Sequence, residues 1–257
     1  MIFKKNNPGC PCCPCPCYKF NDNAKDSTGN KHLTATSESY ADGKLDKAAS
    51  FTGSSHYTHA HDDCFSPAAN DGVWRMWFWF KEVTEPSASA HGWHGVITKG
   101  EYSSSGSPPV ASFNGEWGVF YKPDGSIGDS SPELFFAYKS DSVSLGHFAS
   151  IGLIAGDWYF FHWQINATSK EAELYGRNAS TGENLNASGI WPTSVTGNMA
   201  TTDDPMRIGN NTGTNGVVLG ANSGSFLIDN VGFSNKSGSA ANLYNSGAGK
   251  GCPNQGK

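Results

Sequence analysis

Residues 72–81, GVWRMWFWFK, and residues 157–166, DWYFFHWQIN, decide how this chain folds. Both are of strand length and rich in aromatic side chains, which suit a pleated, half-buried surface. Successive side chains of a strand point to opposite faces. In the first run this sets Trp74, Met76, Phe78 and Phe80 on one face and Val73, Arg75, Trp77, Trp79 and Lys81 on the other. In the second, Trp158, Phe160 and His162 oppose Tyr159, Phe161 and Trp163. Bulk on both faces predicts strands in the middle of a two-sheet sandwich, with both surfaces covered or used. Trp74, Phe78, Phe80, Phe160 and Phe233 are the expected inter-sheet core. No stretch carries a sustained helical period with caps, so the expected class is all-β.

The remainder of the chain agrees. A length of 257 residues fits one large all-β domain. Apolar residues make up 37% and charged ones 16%, and 31 Gly with many Ser, Asn and Thr supply turns. Eight Trp and 15 Phe are enough to close a core at that modest apolar fraction. The net charge of −5, with no basic block, argues against nucleic acid and against an electrostatic membrane anchor. No apolar run approaches the ~20 residues that cross a bilayer, so membrane insertion is not expected. The opening MIFKKNNPGC has two lysines and no apolar stretch, so the expectation is a surface or virion protein that carries no Sec signal peptide. The N-x-S/T triplets at Asn166, Asn178, Asn186, Asn210 and Asn235 read as the yield of an Asn- and Ser-rich composition.

Two regions are expected: a Cys/Pro-rich arm over residues 1–17 and a β domain over 18–257. Strands are expected at 18–20, 32–36, 48–51, 57–59, 73–81, 95–99, 117–122, 134–138, 158–166, 172–177, 206–208 and 226–233. Lys122-Pro123-Asp124-Gly125 is a turn signal, and the polar segment 181–204 reads as a long loop suited to recognition.

The order of these runs resembles a known family. Residues 18–30 (YKFNDNAKDSTGN) resemble the first strand and D-x-x-G-N loop of laminin G-like, concanavalin A-like jelly rolls. Residues 48–57 (AASFTGSSHY) resemble their A-x-x-F-D-G-x-x-D-Y unit, with Thr52 and His56 where carboxylates are usual. Residues 73–81 resemble the F-x-I-S-F-W-V-K strand. Residues 156–178 resemble the W-H-x-V-A … L-Y-x-N-G hairpin, residues 226–233 (FLIDNVGF) the closing strand, and residues 243–249 (LYNSGAG) the L-Y-N-x-G tail. The resemblance spans residues 18–250 and implies a jelly-roll sandwich of two antiparallel sheets whose first and last strands lie together. Cys17 would then come close to Cys252. It also implies a structural Ca²⁺ held by Asp26, Asn30 and Asp229; Asx-turn capping is the alternative use of Asp26 and Asn30. It implies no single function, because this fold hosts lectins, adhesion modules, hydrolases and virion parts.

Three constellations are candidates for chemistry. Cys10, Cys12, Cys13, Cys15 and Cys17 alternate with prolines that keep the arm extended, and Cys64 and Cys252 bring the total to an odd seven. The arm can cross-link subunits through disulfides, with Cys252 as a further cross-linking residue, hold a thiolate-bound metal, or remain a reduced tail. His56, His59 and His61, with Asp63 or Cys64, have metal-ligand chemistry, against the plainer reading of a strand end. Arg75, Trp77 and Trp79 share a face on which a pyranose would stack and hydrogen-bond; burial of the rings under a loop or the second sheet is the alternative. Glycoside hydrolysis needs two carboxyls across the scissile bond. The family's E-x-D-x-x-E is absent, and Glu171 with Glu173 reads as a solvated hairpin. The expectation is therefore not an enzyme but a structural and attachment subunit of a cell-surface filament or virion, self-assembled or joined to another structural protein through its arm. A soluble carbohydrate-binding module is the alternative, and a glycoside hydrolase of the same superfamily the third.

Overall fold

The computed structural model describes residues 15–29, 31–52, 55–69, 73–84, 94–102, 113–122, 133–139, 145–190, 198–209, 225–235 and 240–245. In chain order its strands are β1 (Cys17–Tyr18), β2 (Thr34–Thr36), β3 (Tyr40–Asp42), β4 (Lys47–Thr52), β5 (His56–His59), β6 (Val73–Thr84), β7 (His94–Tyr102), β8 (Phe113–Lys122), β9 (Glu133–Lys139), β10 (Leu145–Gly152), β11 (Trp158–Asn166), β12 (Glu171–Asn178), β13 (Ala187–Ile190), β14 (Met206–Gly209) and β15 (Ser225–Ser234). A five-residue helix, α1 (Ala240–Tyr244), follows. The first sheet runs β13-β12-β11-β6-β15-β4-β3 with β1 added beside β15, and the second runs β10-β9-β8-β7-β14-β5-β2; the pairings are antiparallel.

The two aromatic runs are central neighbours, β6 and β11, paired along their length from Trp158 opposite Lys81 to Asn166 opposite Val73. Their inner rows, Trp74, Met76, Phe78 and Phe80 with Tyr159, Phe161 and Trp163, meet Trp117, Tyr121 and Phe136 of the second sheet. The Trp74 and Trp117 rings lie 4.9 Å apart, and each donates its indole N–H to a successive carbonyl, Cys64 O at 2.9 Å and Phe65 O at 2.7 Å. Those carbonyls belong to a 3-10 turn, Asp63–Phe65, whose start is capped by Asp62 accepting from the Cys64 amide. The indole N–H groups of Trp74 and Trp117 are thus satisfied by one short segment.

Another pairing joins that segment to the second sheet. Lys99 and Glu116 are buried 3.3 Å apart. Lys99 Nζ also donates to Thr202 O and Asp204 O at 2.9 and 2.7 Å. Glu116 accepts from Ser66 Oγ at 2.5 Å and from Thr202 N at 2.8 Å. Burial pushes the Glu116 carboxyl up, and Lys99 opposes that push.

Several expectations need adjustment. Tyr40–Asp42, Leu145–Gly152 and Ala187–Ile190 are strands that the sequence pattern does not mark, the last inside the segment read as a loop. Each is short or broken by small residues, and each is a strand because a neighbour supplies its pairing: β4, β9 and β12 respectively. Phe160 does not belong to the inter-sheet core. It lies on the outer side of the first sheet with Trp77 and Trp79, as the alternation of β11 requires once Phe161 faces inward. The first and last strands do lie together, with Cys17 opposite Gly232 and Tyr18 opposite Val231.

Candidate binding face on the outer side of the first sheet

Cross-strand register builds this face in rows. Trp77 pairs with His162, which pairs with Tyr175; Trp79 pairs with Phe160, which pairs with Arg177; Lys81 lies opposite Trp158. Over the centre of the face sits α1, whose Leu243 is buried against Cys17, Trp77, Trp79 and Phe160. Tyr244 stacks on Trp79 at 5.9 Å and lies 6.2 Å edge-on from Tyr175. The α1 sequence AANLY has no cap or period to announce it. Burial of its Leu and Tyr holds it in place.

Trp77 and Trp79 are 2% and 1% exposed, so the proposed Arg75–Trp77–Trp79 stacking platform is not open to a sugar; burial, the other outcome the sequence left open, is what the structure shows. Trp77 lies directly on Gly232, where even a Cβ would come within 2.1 Å of the ring. Arg75 is half-buried over Trp77, 5.7 Å from its centroid. What remains accessible lies one row away. Trp158, Tyr175 and Tyr244 are half-buried, as are Lys44, Lys81 and Arg177. Each outer ring has a cation near it: Lys44 over Trp79 at 5.4 Å, Lys81 over Trp158 at 6.0 Å, Arg177 over Tyr175 at 5.6 Å. Arg177 also donates through Nε to Tyr175 Oη at 3.0 Å and through Nη1 to Gly182 O at 2.8 Å, which fixes its plane.

The face is polar beneath its rings. His162 is 4% exposed and its Nε2 has no hydrogen-bond partner; the same is true of the buried Trp77 Nε1 and Arg75 Nε. Burial, reinforced by the Arg75 charge, pushes the His162 imidazole down to about 4. Sequence reasoning named Arg75, Trp77 and Trp79 but missed Trp158, Tyr175, Arg177, Lys44, Tyr244 and His162 as members of one site. Alternation marks Lys81, Trp158, Tyr175 and Arg177 as same-face pairs within their strands. Joining them needed the β6–β11–β12 register.

Of the residues expected to hold calcium, Asp26 and Asp229 each accept hydrogen bonds from main-chain N–H groups. Asp26 Oδ1 accepts from Cys17 N, Thr28 N and Thr28 Oγ1 at 3.0, 2.9 and 2.8 Å, and so organises its own loop. Asp229, fully buried, accepts from Leu45 N at 2.7 Å and from Asn230 Nδ2 at 2.6 Å, holding the turn after β3 instead. Burial pushes its carboxyl up to about 6. Asn30 lies outside the described residues. The histidines also disperse: His59 stands edge-on to Phe65, and His61 Nδ1 is 3.0 Å from Lys99 Nζ. Among the described residues no group of three or more His, Cys, Asp or Glu is placed to hold a metal ion. Asn178 is buried with Nδ2 donated to Asp157, so that sequon is part of the fold.

Of the cross-linking cysteines, Cys10, Cys12, Cys13 and Cys252 lie outside the described residues. Cys15 and Cys17 are buried in the domain. Cys15 Sγ is 3.6 Å from Asn235 Oδ1, and Thr28 Oγ1 donates to Cys15 O. Cys17 is disulfide-bonded. The chain is thus packed against the domain from Cys15, and joins the sheet at Cys17.

No family model matches the chain, and no curated protein matches its sequence. Solved structures do match its shape. The binding domain of paraclostridial mosquitocidal protein 1 superposes with a TM-score of 0.59 at 12% identity, over 89% of this chain and 50% of that one. The binding domain of botulinum neurotoxin DC, in complex with rat synaptotagmin II, does so with 0.57 at 11% identity, over 91% and 51%. Trypanosoma rangeli sialidase in complex with sialic acid gives 0.56 at 12% identity, over 91% and 33%. The chain spans about half the length of the toxin domains and a third of the sialidase chain. No helix among the described residues is long and apolar enough to cross a membrane. The two antiparallel sheets and these likenesses identify the fold as a concanavalin A-like jelly roll.

Proposed function

We propose that this protein is a non-catalytic recognition module that binds carbohydrate on the outer face of its first sheet, and that it serves as an attachment subunit joined to its neighbours through the Cys/Pro arm. One observation carries the sugar-binding half: on this face, cations lie over the rings of Trp77, Trp79, Trp158 and Tyr175, and Trp158 and Tyr175 remain half-exposed. An aromatic ring offers its face to the C–H side of a pyranose while a neighbouring guanidinium and phenol address the hydroxyls. The likeness to a toxin domain bound to synaptotagmin supplies the fold alone; the chemistry of the face supports the ligand class.

The assembly half rests on the clustering of Cys10, Cys12 and Cys13 just ahead of the domain; the Cys17 disulfide lies within one chain and joins no neighbour. Calcium retains a place only as a proposal for the Asp26 loop.

The test of sugar binding is an oligosaccharide array followed by titration calorimetry with wild-type protein, Trp158→Ala and Tyr175→Ala. At least one oligosaccharide should bind, and each variant should weaken it by tenfold or more with an unchanged denaturation midpoint. Binding that survives both substitutions undiminished would move the site elsewhere.

A further inference from the structure

We infer that the ligand of this face is an acidic sugar, one bearing a carboxylate such as a uronic acid, seated on Trp158 and Tyr175 with Lys81 and Arg177 as its anion contacts. The inference rests on the carbohydrate reading above and narrows it.

The first support is charge placement. The chain as a whole carries −5, yet Lys44, Arg75, Lys81 and Arg177 all gather on one side of one sheet. Two carboxylates border this patch, and both have hydrogen-bond partners. Asp157 accepts from Asn178 Nδ2 at 2.9 Å and Ser180 Oγ at 2.7 Å, bonds that hold its carboxyl below the usual range. Glu173 is exposed and takes a 3.5 Å contact from Gln164 Nε2. The Lys81 charge also helps hold Asp157 low, but across a distance longer than an ion pair. Lys81 pairs with no carboxylate within salt-bridge distance among the described residues, and it is a half-buried residue with Nζ 6.0 Å from the centre of the Trp158 ring. Arg177 uses two of its five N–H groups on Tyr175 and Gly182, which leaves three for a ligand.

The second support is spacing. Lys81 and Arg177 stand on β6 and β12, on either side of β11, one side-chain row apart. Strand spacing of ~4.8 Å and a two-residue rise of ~6.8 Å put their anchor points about 12 Å apart. Trp158 and Phe160 lie between them on β11. A ligand that bridges both cations must cross ring surface, and a sugar chain with a carboxylate has both chemistries.

The third support lies below the surface. His162 Nε2 and Trp77 Nε1, in the same cross-strand row as Tyr175, and Arg75 Nε, one row on, are buried polar atoms without partners. A buried unpaired donor or acceptor is costly, and natural folds keep such groups chiefly where a ligand or water satisfies them. Two of the three are donors, which suits an acceptor-rich ligand.

Calorimetry against a tetrasaccharide of alternating glucuronate and N-acetylglucosamine, and against the same tetrasaccharide with its carboxylates reduced to hydroxymethyl groups, tests this. The acidic form should bind at least tenfold more tightly in low salt, and the advantage should shrink as salt screens the contact. Lys81→Gln should bring the two forms close to parity, and Lys81→Arg should restore the preference. Because Arg177 also anchors Gly182, Arg177→Gln is judged only alongside its denaturation midpoint, and Lys81→Gln carries the decision. Equal affinity of wild-type protein for the two tetrasaccharides overturns the acidic preference and leaves the carbohydrate reading standing. No binding of either form, together with a blank array, overturns both.

Discussion

The two sides of the first sheet are built from the same strands and nearly the same side chains, yet their surroundings differ. On the inner side, Trp74, Phe78 and Phe161 meet only other apolar groups and rings of the facing sheet, and the Trp74 N–H is answered by a main-chain carbonyl. On the outer side, Trp77, Trp79 and Phe160 are buried as deeply, but cations stand over the tryptophans and three polar atoms lack partners. Aromatic content alone therefore does not tell which face of the sheet meets the second sheet; the ring contacts across the sandwich do.

The sharpest break of this comparison is deletion of a ring from each side. Phe78 is fully buried and touches Phe136 of the opposite sheet and Phe161 beside it, with centroids 6.4 and 5.5 Å away. Phe78→Ala should cost about 3–5 kcal/mol, since both sheets line the cavity and neither can collapse into it freely. Trp158→Ala, on the half-exposed outer row, should cost under about 1.5 kcal/mol. Urea denaturation of the two variants measures both. Equal losses would erase the distinction between the faces.

Much of this was legible beforehand. The twelve expected strands all have counterparts, because long aromatic and β-branched runs bounded by Gly, Asn and Asp leave little choice of structure. Trp74, Phe78, Phe80 and Phe233 fall in the inter-sheet core as alternation requires. What failed was of two kinds. Phe160 falls outside the inter-sheet core because a sheet with bulk on both faces gives no sign of which face meets the second sheet; that depends on pairing partners distant in sequence. Arg75, Trp77 and Trp79 do share one face, but its cover, α1, is a pentapeptide without a signal. Its position is decided by Leu243 and Tyr244 finding Trp79 and Phe160.

A second comparison uses pH. His162 lies in the outer layer with its imidazole pushed down to about 4, against an ordinary value near 6.5. A histidine whose folded pKa is depressed resists protonation in the native state. Its contribution is whole above about pH 6.5 and is lost as pH falls towards 4, because the unfolded chain then binds the extra proton. The full window is worth on the order of 3 kcal/mol. Asp229, pushed up to about 6, acts in the opposite sense: its stabilising effect is greatest below about pH 4 and is lost as pH rises through 6. The unfolding free energy of wild type minus that of His162→Gln should therefore fall by about 2–3 kcal/mol between pH 7 and pH 4.5, with the carboxylates common to both proteins cancelling. A difference that stays flat across that range would mean the ring is not held neutral by its surroundings, and the unpartnered Nε2 would lose its meaning for the outer face.

The smallest expected effect on stability, and the largest on assembly, belongs to the arm. Residues 15–18 are structural: Cys15 and Cys17 are buried, Phe233 N donates to Pro16 O at 3.1 Å, and Tyr18 is fully enclosed with its hydroxyl on Lys31 O. A cut at residue 17 would tear the edge of the sheet, so the informative deletion removes residues 1–14 and leaves Cys15 onward. That stretch is mostly Cys, Pro, Asn, Lys and Gly, with Met1, Ile2 and Phe3 as its large apolar residues. We expect the Cys17 disulfide to survive the deletion, because β1 lies against β15 and α1 packs on Cys17, which brings the chain leading to Cys252 to the same side. A non-reducing tryptic map should then show residues 251–257 joined to the peptide that ends at Lys19, and unfolding free energy should stay within about 0.5 kcal/mol of wild type. Higher-order assembly should be lost, since three of the clustered thiols that would reach a neighbour are gone. A drop of about 2–5 kcal/mol, the usual cost of losing a native disulfide, would place the partner of Cys17 within the arm. A truncated protein that still builds the native oligomer would leave the arm without a role in joining subunits, and the jelly roll with its outer face would stand as a self-sufficient sugar-binding module.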